Sequence, residues 1–166
     1  MVDINAFRDG MAMLASAVTV VTTGGPQGQA GFTATAVSSV TDQPPTLLVC
    51  MNRGSYAHPM FTGNGTLCVN VLASDQQSLS GLFADRNVTM DERFARVGWQ
   101  ALDTGSPALD DALVSFDCRI VHTAEFGSHS VFFCEVEAIR RGGASDGLVY
   151  FARRYHGVGD ADVVTA

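Results

Sequence analysis

The segment Gly31-Phe32-Thr33-Ala34-Thr35-Ala36-Val37-Ser38-Ser39 sets small and hydroxyl-bearing residues between two strand-forming stretches. Small side chains let a ligand approach the main chain, and Thr and Ser hydroxyls with exposed N–H groups bond carbonyl and phosphate oxygens. The run could cradle a flat, polar-edged ring with a phosphorylated tail; the same pattern also suits a Thr/Ser-rich edge strand facing water. Asn52-Arg53-Gly54-Ser55 follows an apolar run, and its donors suit an anion as well as they suit an ordinary turn. In Gly127-Ser128-His129-Ser130 the His could orient a substrate amide or shuttle a proton near neutral pH, or simply sit in solvent on a turn. Arg153-Arg154-Tyr155-His156 is the densest cationic group, able to neutralise a phosphate or to keep the terminus soluble.

Other chemistries lack their residues. The glycines at 24, 25, 28 and 31 do not fit GxGxxG, and no βαβ setting surrounds them. There is no GxxxxGK[ST], HExxH or GxSxG. His58, His122 and His156 lack the paired spacing of a metal site and read as surface or strand residues. Cys50, Cys68, Cys118 and Cys134 each lie in an apolar run without CxxC spacing, as buried thiols in a reducing cytoplasm would.

The elements that must position these residues are mostly strands. Ile4, Phe7, Met11 and Leu14 share one helical face, so the chain opens with a helix. Val18 to Thr23 is β-branched and ends at Gly24-Gly25-Pro26; Ala30–Ala34, Ser38–Thr41, Thr46–Met51 and Leu67–Leu72 read as further strands. Tyr56–Phe61, Gln76–Phe83 and Asp91–Ala95 read as short helices. Leu113–His122 alternates, and Val131–Ile139 sets Phe132, Cys134, Val136 and Ala138 opposite Glu135 and Glu137, the signature of half-buried antiparallel strands. Gly142-Gly143 to Gly147 then predicts a hairpin between Val131–Ile139 and Leu148–Phe151. These elements predict a mainly β chain: a closed antiparallel β-barrel with peripheral helices.

The 166 residues, 46% of them hydrophobic and 16% charged, fit a single domain over 1–166 and exclude a disordered chain. A formal net charge of -7 disfavours nucleic acid and anionic membranes, while a local group of donors can still hold an anionic small molecule. Low charge with high apolar content favours an oligomer. No run reaches the roughly 18 apolar residues of a membrane span. Asp3 and Asp9 spoil a signal peptide, so a cytoplasmic location is expected. The acidic stretch from Gly159 to Ala166 carries no interpretable pattern.

Read together, Gly31 to Asp42 with Pro44-Pro45, Leu67-Cys68-Val69-Asn70-Val71-Leu72 and Gly127-Ser128-His129 resemble the short-chain flavin reductase family, the reductase components of two-component flavin monooxygenases. Phe7-Arg8-Asp9, Asn52-Arg53-Gly54, Trp99-Gln100, Ala112 to Ile120 and Tyr155-His156 extend the likeness over nearly the whole chain. The resemblance implies an FMN-binding split barrel, a homodimer with flavin near the subunit interface, and reduction of FMN or FAD by NADH or NADPH for a partner flavin-dependent monooxygenase. It implies that Thr33, Ala34, Thr35 and Ala36 meet the flavin ring, and Ser38 or Ser39 its ribityl or phosphate region. Asn52 and Ser55 would hold the tail, Asn70 would lie beside the flavin, and His129 would contact the nicotinamide. Many members carry Asp or Thr where this chain has Ser128 before that His. The competing readings are a flavoprotein oxidase of the same barrel type and a non-catalytic flavin- or haem-binding module.

Overall fold

A computed structural model describes residues 1–143 and 146–159; the acidic stretch beyond 159 lies outside them. Helix α1 (Ile4–Met11) starts at Asp3, whose carboxylate accepts from the Asn5 and Ala6 N–H groups. Strands β1 (Ser16–Ala17), β2 (Thr19–Thr23), β3 (Ala30–Ala34), β4 (Val37–Asp42) and β5 (Pro45–Asn52) follow. Helix α2 (His58–Asn64) ends at Gly65, whose φ of 69° belongs to the left-handed region that glycine enters without penalty. After it come β6 (Thr66–Val71), α3 (Gln77–Ala84), α4 (Met90–Ala95), β7 (Trp99–Ala101) and β8 (Pro107–Leu109). The chain closes with β9 (Val114–Phe126), β10 (His129–Arg141), β11 (Gly147–Phe151) and β12 (Arg154–Val158).

Seven strands form one sheet in the order β3-β2-β6-β9-β10-β5-β4, each neighbouring pair antiparallel. Strands β3 and β4 are therefore opposite edges, yet only Thr35 and Ala36 separate them in the chain. Three Cα steps reach at most about 11 Å, so the sheet must roll until its edges meet at this link. Among the described residues no ladder joins β3 to β4, so the expected closed barrel is a rolled sheet whose edges are not hydrogen-bonded together.

The late hairpin is also different from the expectation. Strand β10 pairs with β9 and β5, whereas β11 pairs with β12 and β1 in a separate three-stranded sheet. The physical reason is that β10 is already paired on both sides: β9, joined to it by the two-residue Gly127-Ser128 turn, pairs along one side and β5 along the other. Gly127 at φ 56° supplies the turn.

Two apolar clusters hold these layers. Val21, Val49, Met51, Phe61, Leu67 and Phe132 pack in one, while Val18, Leu72, Phe83, Phe94, Leu109 and Leu148 join α3 and α4 to the smaller sheet. Each such side chain gives about 1.5–3 kcal/mol on full burial. The faces of Phe132 and Cys134 are buried as their alternation predicts. No described helix is long and apolar enough to cross a membrane.

Candidate functional site

The antiparallel register brings three stretches to one end of the rolled sheet. The Ala36 carbonyl accepts from Cys50 N–H at 3.1 Å, two residues before the end of β5. There Asn52 pairs with His129, the first residue of β10. Thr35-Ala36, Asn52–Ser55 and His129 thus share one rim, because the strand bearing each starts or stops there.

The turn after β5 is built by its own side chains. Asn52 Oδ1 accepts from Gly54 N–H at 2.8 Å, and Ser55 N–H donates to the Asn52 carbonyl at 3.1 Å. Arg53 fastens this turn to the β9–β10 turn. Its N–H donates to the Ser128 carbonyl at 2.9 Å, and its guanidinium donates to Glu125 Oε2 at 2.6 Å and to the Gly127 carbonyl. His129 is exposed, with Nδ1 2.9 Å from Ser128 Oγ. That contact orients the ring and leaves Nε2 available to a ligand.

A cavity of about 810 Å³ opens beside Asn52 and Ser55, within the range of small-molecule sites. Gly28, Gly31, Tyr56, Arg86, Asn87 and Thr89 also line it. A second, more apolar hollow of about 520 Å³ is lined by Thr35, Ser38, Ser39, Val71, Phe116 and Ile139. A third, of about 180 Å³, lies against Thr33, Ala34, Thr35, Tyr150 and Tyr155. The segment from Thr33 to Ser39 therefore runs along two hollows, with Thr35 on both.

Asn70 stands apart. It is fully buried; Oδ1 accepts from Leu109 N–H at 2.8 Å and Ser115 Oγ at 2.9 Å, while Nδ2 donates to the Val20 carbonyl at 3.0 Å. Its amide is committed to joining β2, β8 and β9, with no polar group turned to a ligand. Thr33 Oγ1 is likewise engaged, donating to the Ser80 carbonyl at 2.6 Å, and Ser80 Oγ lies 2.8 Å from Tyr155 OH. The terminal cationic group disperses: Arg153 pairs with Asp9, and His156 is on exposed β12.

Two residues take positions that the sequence does not signal. His58 was expected on the surface or in a strand; it opens α2, half-buried, with Nε2 2.9 Å from Ser130 Oγ and its ring stacked on Phe132. Arg93 is buried on α4 and donates to four carbonyls: Gly31 at 3.1 Å, Phe83 at 3.0 Å, Val88 at 3.1 Å, and Asp85. Burial lowers its pKa, an effect that the charge of Asp85 opposes. The Thr89-x-x-Glu92 capping box marks the start of α4 in sequence, but nothing there signals a buried guanidinium.

The donors at this rim, with exposed Ser and Thr hydroxyls beside open main chain, fit a polar-edged ring and an anionic tail. Residues 11–159 match the family model of the flavin reductase like domain. The chain belongs to the flavin reductase-like family. The FMN reductase (NADH) RutF of Stutzerimonas stutzeri strain A1501 is 59% identical over 152 residues, 92% of this flavin reductase-like chain and 87% of that protein. BorF, the flavin reductase component of a bacterial two-component tryptophan halogenase, is 34% identical with a TM-score of 0.88, covering 95% of this chain and 99% of its own. The Streptomyces globisporus C-1027 NADH:FAD oxidoreductase SgcE6, solved with NAD and FAD fragments, is 30% identical at a TM-score of 0.87, covering 98% and 99%. Among the described residues of this flavin reductase-like chain, no three His, Cys, Asp or Glu side chains group to hold a metal ion.

Proposed function

We propose that this chain is an NADH-dependent flavin reductase that reduces FMN and releases it to a partner flavin-dependent monooxygenase. The observation that carries the reading is the shared rim of Thr35-Ala36, Asn52–Ser55 and His129 in a member of the flavin reductase-like family. When both are bound, the nicotinamide supplies the hydride and the flavin accepts it, so the chemistry belongs to the ligands.

The protein's work is placement. Main-chain N–H groups from Thr33 to Ala36 approach the ring edge, and Ser38 or Ser39 its ribityl or phosphate region; the segment is open to ligand at Thr35 and Ala36. Asn52 and Ser55 hold the tail from the 810 Å³ cavity. His129 orients the nicotinamide carboxamide through Nε2, and Arg53 keeps that His and Asn52 in register. Asn70 serves the reading as a brace behind β2 rather than as a ligand contact.

We further infer a homodimer. Ile4, Phe7, Met11, Met13 and Leu14 are all exposed on and after α1, an apolar face that a second copy would cover. The partner would also shield the open 520 Å³ hollow and complete the split barrel. Free thiols at Cys50, Cys68, Cys118 and Cys134 suit a reducing cytoplasm.

The test is NADH oxidation by the purified protein with free FMN, read from NADH absorbance. Loss of NADH with turnover of many flavins per protein supports the reductase. Flavin retained through gel filtration, with no transfer to free flavin, would favour an oxidase. Binding without NADH loss would leave a non-catalytic flavin module.

A further inference from the structure

This acidic protein has ten arginines and no lysine, and the arginines differ in what they already hold. Arg53 is taken by Glu125 and the Gly127 carbonyl, Arg119 by Glu137, Arg140 by Asp110 and the Leu109 carbonyl, and Arg153 by Asp9. Two arginines line the 810 Å³ cavity. Arg93 is buried and occupied by its four carbonyls. Arg86 is exposed and, among the described residues, makes no hydrogen bond or ion pair.

The loop that carries Arg86 is shaped in advance. Asp85 Oδ1 accepts from Asn87 N–H at 2.9 Å and from its Nδ2 at 3.1 Å. Arg93 binds the carbonyls of Asp85 and Val88, which bracket Arg86 in the chain, and ties them to Gly31 on β3. The Arg86 backbone is thereby fixed while its guanidinium is left uncommitted. The same cavity holds Asn52 and Ser55, neutral donors suited to an anionic tail. Among the described residues its one carboxylate is Asp91, in the first turn of α4.

We propose that Arg86 reads the phosphate monoester of FMN and so sets the preference for FMN over a flavin without phosphate; this rests on the reductase reading above. A guanidinium meets a phosphate with two parallel charge-assisted hydrogen bonds, a match that neutral Asn and Ser donors cannot supply. Because the loop is braced beforehand, the contact has only the Arg86 side chain left to order.

The test is steady-state NADH oxidation by the full chain with FMN and, separately, riboflavin as acceptor. In Arg86→Ala the ratio of KM for FMN to KM for riboflavin rises about ten- to a hundredfold; Arg86→Lys falls between. Arg141→Ala, which removes the same charge outside the cavity, keeps the wild-type ratio. An unchanged ratio in Arg86→Ala, or a rise confined to the KM for NADH, would overturn the assignment while leaving the reductase reading standing. Absence of NADH oxidation by wild-type protein with either flavin would instead overturn the reductase reading, and this assignment with it.

Discussion

His129 faces Asn52 across the β5–β10 ladder, and the next residue of β5's turn, Arg53, donates its N–H to the carbonyl of Ser128 beside that His. A group proposed for the nicotinamide and one proposed for the flavin tail are thus adjacent in a single antiparallel pair. Adjacent strands are about 4.8 Å apart, so ladder hydrogen bonds set the spacing of the two contacts.

The imidazole of His129 is expected to act on the nicotinamide half of the reaction. His129→Ala should lower kcat/KM for NADH about a hundredfold, the usual scale for losing one positioned polar contact. Flavin affinity, read by fluorescence quenching, should move far less. An equal loss for both ligands would show that His129 shapes the whole rim.

Arg53 should matter more for placement than for stability. Its pairing with Glu125 is half-exposed, a class worth about 1 kcal/mol or less, so thermal unfolding of Arg53→Ala should shift little. With the two turns unfastened, KM should rise for both NADH and FMN. Glu125→Ala should do less, since the Ser128 and Gly127 contacts remain.

Asn70→Ala should fold less stably. It deletes the amide that satisfies Leu109 N–H, Ser115 Oγ and the Val20 carbonyl, all buried; the cost is about 3 kcal/mol. A lower urea midpoint, with substrate KM values near wild type in the folded fraction, is the expected outcome. A selective loss of flavin binding at full stability would restore the contact that the family resemblance implies.

Asp117 should give stability a pH dependence. Burial raises its pKa, against the opposing pull of the Thr104 hydroxyl and N–H that donate to it. The folded protein then binds a proton more tightly than the unfolded chain does. Between the ordinary Asp value and the raised one, stability falls as pH increases. Denaturation midpoints across that window should show this slope, and Asp117→Asn should flatten it.

The four thiols should separate by reactivity. Burial pushes Cys134 up to about 12 and drives Cys68 and Cys118 well above the ordinary thiol range. Cys50 alone is half-exposed. A chromogenic disulfide should label one site in native protein, and Cys50→Ser should abolish that labelling until denaturant is added.

Local signals were readable where one strand or helix decides its own form. The alternation around Phe132 and Cys134 forecast a half-buried strand, and the Gly127-Ser128 turn forecast the exposed station of His129. Pairing partners were not readable, because β10 could meet β11 or β5 with the same pattern, and only the tertiary arrangement sets β5 along its second edge. The use of Asn70 as a brace was hidden for a similar reason. A polar residue in an apolar strand looks alike whether its partners are a ligand or the main chain of β2 and β8. Arg86 and Arg93, seven residues apart, differ only through the carbonyls that tertiary packing offers the second.

Thr35 and Ala36 span the gap between opposite margins of the large sheet. They act as a suture at the segment proposed to meet the ring. A circular permutant cut between them would retain every ladder of that sheet and still let its margins drift. Conversely, a molecule gripping the suture from both sides would hold the two margins together, so occupancy and mechanical closure would become one property.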